Sequence, residues 1–109
     1  MSDFKMDHLS GEALKIAQKI RDMIHEDKDG EPYGGGCQAF YTPEEWRERG
    51  EEYGLDSVLI LCHDGGDLSA YCNPYERNEY SYVRLTESLR EIGYWFEPCT
   101  AWYTAVYPL

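Results

Sequence analysis

The chain has 109 residues, 42% hydrophobic and 15% aromatic, and a formal charge of −11 from 21 acids and 10 bases. That length points to one domain, residues 1–109, with a core of ordinary size, and the aromatic share, led by ten tyrosines, argues against disorder. The acidic excess runs through both halves; such a field repels nucleic acid and anionic membrane and attracts basic surfaces, so it argues against direct nucleic-acid binding while allowing a partner that itself binds nucleic acid.

The start, Met1-Ser-Asp-Phe-Lys5, lacks the basic and apolar regions of a signal peptide, and no apolar run approaches the ~20 residues of a membrane span. The expected setting is cytoplasmic, that of a host cell if the chain is phage-encoded. Cys37, Cys62, Cys72 and Cys99 are then expected as reduced thiols.

Residues 1–8 read as a loose N-terminus. After them, Leu9, Ala13, Ile16, Ala17, Ile20, Met23 and Ile24 recur three or four apart, which predicts an amphipathic helix over 10–26. Residues 27–36, rich in Gly, read as a loop. Its Asp27-x-Asp29-x-Glu31 pattern imitates a calcium loop but fails it, with Pro32 where the turn needs Gly and Gln38 where a bidentate Glu belongs. Gly34-Gly35-Gly36 lacks the Lys-Ser/Thr of a phosphate loop. A short strand is allowed over 36–41. Thr42-Pro-Glu-Glu45 then sets a capping box with Pro at the first helical position, predicting a charged helix over 43–53. Trp46 and Tyr53, seven apart, would share its anchoring face.

The apolar run 58–62, the only unbroken one, predicts a central strand covered on both faces. Asp64-Gly-Gly-Asp67 reads as a reversal, with 68–72 returning as the second strand of a hairpin. Asn73-Pro74 repeats the cap logic before a third helix that starts between 74 and 78 and stops at Gly93. Period-two alternation predicts strands over 94–99 and 101–107, with Pro98 at an edge or bend. The expected fold class is α+β: a roughly four-stranded antiparallel or mixed sheet with three helices, in the order ααββαββ.

Cys62-His63-Asp64 is the sharpest chemical cluster. Adjacent strand residues point to opposite faces, so Cys62 and His63 cannot form a nucleophile–base dyad with each other. No C-x-x-C knuckle or Gly-x-Ser-x-Gly elbow occurs. The expectation is therefore no metal, no cofactor and no catalytic residue, and a protein that works by being bound. Its surface would be acidic and aromatic, carried by Glu44, Glu45, Glu48, Asp64, Asp67, Trp46 and Tyr75, with carboxylates providing steering and aromatic anchors providing affinity. The alternatives are a small enzyme using Cys62, His63 or Asp64, and an oligomeric accessory protein.

The pieces His63-Asp-Gly-Gly-Asp-Leu68, Tyr71-Cys-Asn73 and Glu97-Pro-Cys-Thr-Ala-Trp-Tyr-Thr-Ala-Val-Tyr107 resemble those of small phage and prophage proteins, over about residues 53–109. The resemblance implies a mobile-element accessory protein, a class that includes anti-CRISPR and other anti-defence inhibitors, and it assigns no site residue. The expected function is a phage-type, non-catalytic inhibitor that binds a basic, nucleic-acid-binding surface of a host defence complex such as a CRISPR effector.

Overall fold

A computed structural model describes residues 5–27, 39–63, 67–72 and 79–109. The elements are α1 (Gly11–Asp27), β1 (Phe40–Tyr41), α2 (Pro43–Glu48), β2 (Leu59–Cys62), α3 (Ser69–Cys72), α4 (Glu79–Glu91), β3 (Tyr94–Pro98) and β4 (Tyr103–Pro108). The strands form one antiparallel sheet in the order β1-β2-β4-β3, so the chain is an α+β protein.

Every residue of β2 is buried, because the strand is paired on both edges and covered on both faces. Phe40 pairs with Leu61 on one side and Thr104 pairs with Leu61 on the other. The expected return strand over 68–72 has no free edge to join. It closes instead into a helical turn, in which the Tyr71 and Cys72 amides both donate to the Leu68 carbonyl at 3.0 Å. The Ser69 hydroxyl donates to the His63 carbonyl at 3.1 Å and fixes that turn to the end of β2. Among the described residues the sheet therefore keeps four strands, with 40–41 beside β2 where 68–72 was expected, and the helices number four rather than three.

Alternation along the strands sorts side chains onto two faces. Leu59, Leu61, Phe40, Val106, Tyr94 and Phe96 join Ile16, Ile20 and Ile24 of α1 and Leu85 and Leu89 of α4 in the larger core. Each such aliphatic side chain contributes about 1.5–3 kcal/mol on burial. Ile60, Cys62, Tyr103 and Ala105 face the other way and meet Trp46 of α2. His63 continues the helix side, with Nε2 3.0 Å from the Thr104 hydroxyl. Cys62 and His63 thus lie on opposite faces.

The helix layer is tied by charge at its exposed end. Asp27 accepts from the Tyr71 hydroxyl at 2.7 Å and from Arg84 Nε at 3.1 Å, joining α1, α3 and α4. Arg84 also reaches Glu26, and Lys19 reaches Glu91 at 2.6 Å. The N-terminal segment is tied down from Met6, which packs against the core, while His8 Nε2 lies 2.9 Å from the Phe40 carbonyl. Of the 27–36 loop, only Asp27 is among the described residues, and it belongs to α1.

Candidate functional site: an aromatic sheet face rimmed by carboxylates

Among the described residues, α2 and the loop after it cover part of the second sheet face. Thr42 caps this helix as predicted: Glu45 N–H donates to the Thr42 hydroxyl at 3.1 Å and Thr42 N–H donates to the Glu45 carboxylate at 2.9 Å. The helix stops at Glu48, five residues earlier than expected. Gly50 adopts φ +90°, and its amide donates to the Arg47 carbonyl at 3.0 Å while the Glu51 amide donates to the Trp46 carbonyl at 3.3 Å. That pair of bonds is a Schellman motif, which favours Gly at this position. The early stop separates Trp46 from Tyr53. Trp46 is fully buried, and Tyr53 is 57% exposed on a loop.

The loop that carries Tyr53 is pressed onto the sheet. Gly54 has φ +82°, and a Cβ there would stand 2.9 Å from Ile60 Cδ1 and 3.2 Å from Ala105 Cβ. Only a residue without a side chain lets the backbone come so near. Tyr53, next to Gly54, is shared by two clefts. One, of about 270 Å³, is lined by Glu51, Glu52, Tyr53, Thr100, Trp102 and Tyr103. The other, of about 240 Å³, is lined by Tyr53, Glu97, Pro98, Cys99 and Tyr107. Beside them, Trp95 and Tyr107 stack across the β3–β4 ladder.

Acid charge reaches these rings. Burial raises the Tyr107 pKa first, and the nearby Glu97 and Asp56 charges add to it. Burial likewise raises Tyr103, with Glu51 contributing. The Cys99 thiol is pushed up by burial and by Glu97, the opposite of the electropositive setting that activates a cysteine. Cations are welcome on this face: Arg49 places its guanidinium 4.7 Å from the Trp46 ring centroid and 5.5 Å from that of Tyr41, and it pairs with Glu51 at 3.5 Å.

The residues expected from the sequence do not converge. Trp46 is interior, so it anchors α2 and presents no surface, a correction that follows from its burial against Ile60 and Tyr103. Glu45 is engaged in the capping box. Glu44 is exposed and lines a separate cleft with His8, Glu12 and Ser57. Glu48 is exposed on α2, whereas Asp67 is half-buried beyond the far end of β2. Asp64 and Tyr75 lie outside the described residues. Sequence reasoning missed Tyr53, Glu52, Glu97, Trp102 and Tyr107 as a group. The signal was the alternation of Trp95 and Glu97 with Tyr94 and Phe96, which puts the first two opposite the helix layer.

Among the described residues, no three His, Cys, Asp or Glu side chains are grouped to hold a metal ion, and no helix is long and apolar enough to cross a membrane. Comparison of the chain with protein-family models, with curated proteins and with solved structures finds no match.

Proposed function

We propose that this is a binding protein without catalytic activity, which docks a basic surface of a protein partner through its acidic, aromatic side. The observation that carries the reading is the sheet face left open among the described residues, where rings are edged by carboxylates on a chain of charge −11. Aromatic rings that exclude water supply affinity, and a surrounding field of one sign steers an oppositely charged partner. The setting we propose is a phage-type inhibitor occupying the nucleic-acid-binding surface of a host defence complex such as a CRISPR effector. The small-enzyme reading draws no support from Cys62 and His63, which are buried on opposite faces.

The test is direct. Guide-loaded CRISPR effectors are mixed with the purified protein, and complex formation and target-DNA binding are measured at low and physiological salt. The expected result is a stoichiometric complex that excludes DNA and weakens as salt rises. Failure to bind any such complex, at either salt, overturns the proposal. Glu44→Lys and Glu48→Lys variants decide whether α2 belongs to the contact: unchanged inhibition removes those acids from it.

A further inference from the structure

We infer that the two clefts flanking Tyr53 receive two arginine side chains from one extended segment of a protein partner. This inference rests on the binding reading above and gives it a site and a ligand chemistry. Each cleft pairs an aromatic wall with a carboxylate. Tyr53 and Trp102 stand with Glu52 in one, and Tyr53 and Tyr107 stand with Glu97 in the other. A ring face attracts a cation, and a carboxylate accepts two parallel N–H bonds from a guanidinium. Arginine satisfies both at once because it is flat, weakly hydrated and permanently charged; lysine offers a compact, strongly hydrated point charge.

The molecule already contains one example of this chemistry on the same face. Arg49 lies over Trp46 and Tyr41 with Glu51 beside it. The clefts bring the same residue types, aromatic rings and a carboxylate, into one lining. Their volumes, about 270 and 240 Å³, leave room for a guanidinium, which displaces only a few waters of ~30 Å³ each. Two clefts sharing one ring call for two side chains on one segment rather than for an isolated cation. In an extended segment, alternate residues share a face, so Arg-x-Arg is the spacing we infer for two clefts that share Tyr53. A second copy of this chain is the wrong occupant, because two bodies of charge −11 repel. Anionic nucleic acid is wrong for the same reason.

The probe is the blocked peptide Gly-Arg-Gly-Arg-Gly, with its lysine and citrulline counterparts, titrated into the full chain by calorimetry and by NMR of the tryptophan indole N–H signals. The arginine peptide is expected to bind roughly threefold tighter than the lysine one. The citrulline peptide, flat but uncharged, should show no measurable binding. Tyr53→Ala should weaken binding roughly fivefold while Tyr53→Phe retains it. Glu52→Gln and Glu97→Gln should each weaken it, and Glu87→Gln on α4, beyond the sheet, should not. Tyr53 is exposed, so these variants keep the fold, which the dispersion of the NMR spectrum verifies. Absence of binding, equal binding of citrulline and arginine peptides, or indifference to Tyr53→Ala and Glu97→Gln overturns the inference. So does a dimer in sedimentation that Tyr53→Ala dissociates. An effector complex that forms normally with Tyr53→Ala and Glu97→Gln would leave the binding reading standing and remove this site from it.

Discussion

Trp95 and Tyr107 stack across the β3–β4 ladder with ring centroids 5.0 Å apart and planes 26° from parallel. They lie on the side of the sheet away from α1 and α4. A directly opposed aromatic pair contributes about 0.5–1 kcal/mol beyond the area it buries. A double-mutant cycle of Trp95→Ala and Tyr107→Ala in urea should return a coupling energy of that size. A coupling near zero would mean the rings merely lie close together.

Trp46 and the acids beside it should separate cleanly. Trp46→Ala empties the space between Ile60, Tyr103 and Ala105 and should cost about 3–5 kcal/mol. Glu44→Lys and Glu48→Lys, at exposed positions on the same helix, should change stability by less than about 0.5 kcal/mol. Thr42→Ala, which breaks the capping box, should fall between them at about 1 kcal/mol. Denaturant midpoints for the four variants test that order.

Two glycines with left-handed backbone should respond differently to the same substitution. Gly50→Ala meets no atom within 4 Å, so it should cost only the strain of positive φ, about 1 kcal/mol. Gly54→Ala adds a methyl 2.9 Å from Ile60 Cδ1 and should cost about 1–3 kcal/mol more. It should also displace Tyr53, visible as lost arginine-peptide binding at matched folded fraction. Equal costs at the two sites would show that the loop lifts away from the sheet with ease.

Stability should hold up to about pH 10 and fall above it. Burial, and then the hydrogen bond to Asp27, holds the Tyr71 phenol well above the ordinary tyrosine value. Tyr94 is raised first by its hydrogen bond to Glu12, while Tyr103 and Tyr107 are raised first by burial. A raised folded pKa means that the protonated phenol is the form the fold favours. Its stabilisation is complete below the unfolded value of about 10 and disappears as pH climbs through the higher folded value. Tyr71→Phe should lower stability at neutral pH by about 1 kcal/mol and flatten the alkaline decline. Urea midpoints between pH 7 and 12, with tyrosinate absorbance alongside, follow both effects.

Local chemistry was legible in the sequence wherever it decided the outcome. The helix stripe from Leu9 to Ile24, the Thr42 cap, the buried run through Leu61 and the stop at Gly93 all depend on neighbours in sequence, and each stands as read. The 68–72 strand failed because its evidence was also local. Apolar alternation suited a return strand, but both edges of β2 are taken, with Leu61 paired to Phe40 of β1 and to Thr104 of β4. Such a distant pairing leaves no mark in a short window. Trp46 and Tyr53 failed together for a related reason. Their spacing of seven implies a shared face only while the helix lasts, and Gly50 ends it between them. The open aromatic face was half legible: alternation placed its residues on one side, but nothing in the sequence told which side α1 and α4 would cover.

β4 lies inside the sheet, between β2 and β3. Residues 5–72 supply β1 and β2, and residues 79–109 supply β3 and β4. In chain terms, the centre of the sheet is therefore a seam between two segments that each form only half of it. Each half presents at the seam an inner edge, that of β2 or of β4, which only the other half pairs. A nick between Cys72 and Glu79 should leave two pieces that re-form the sheet by finding each other, and a chain damaged in either half should lose both.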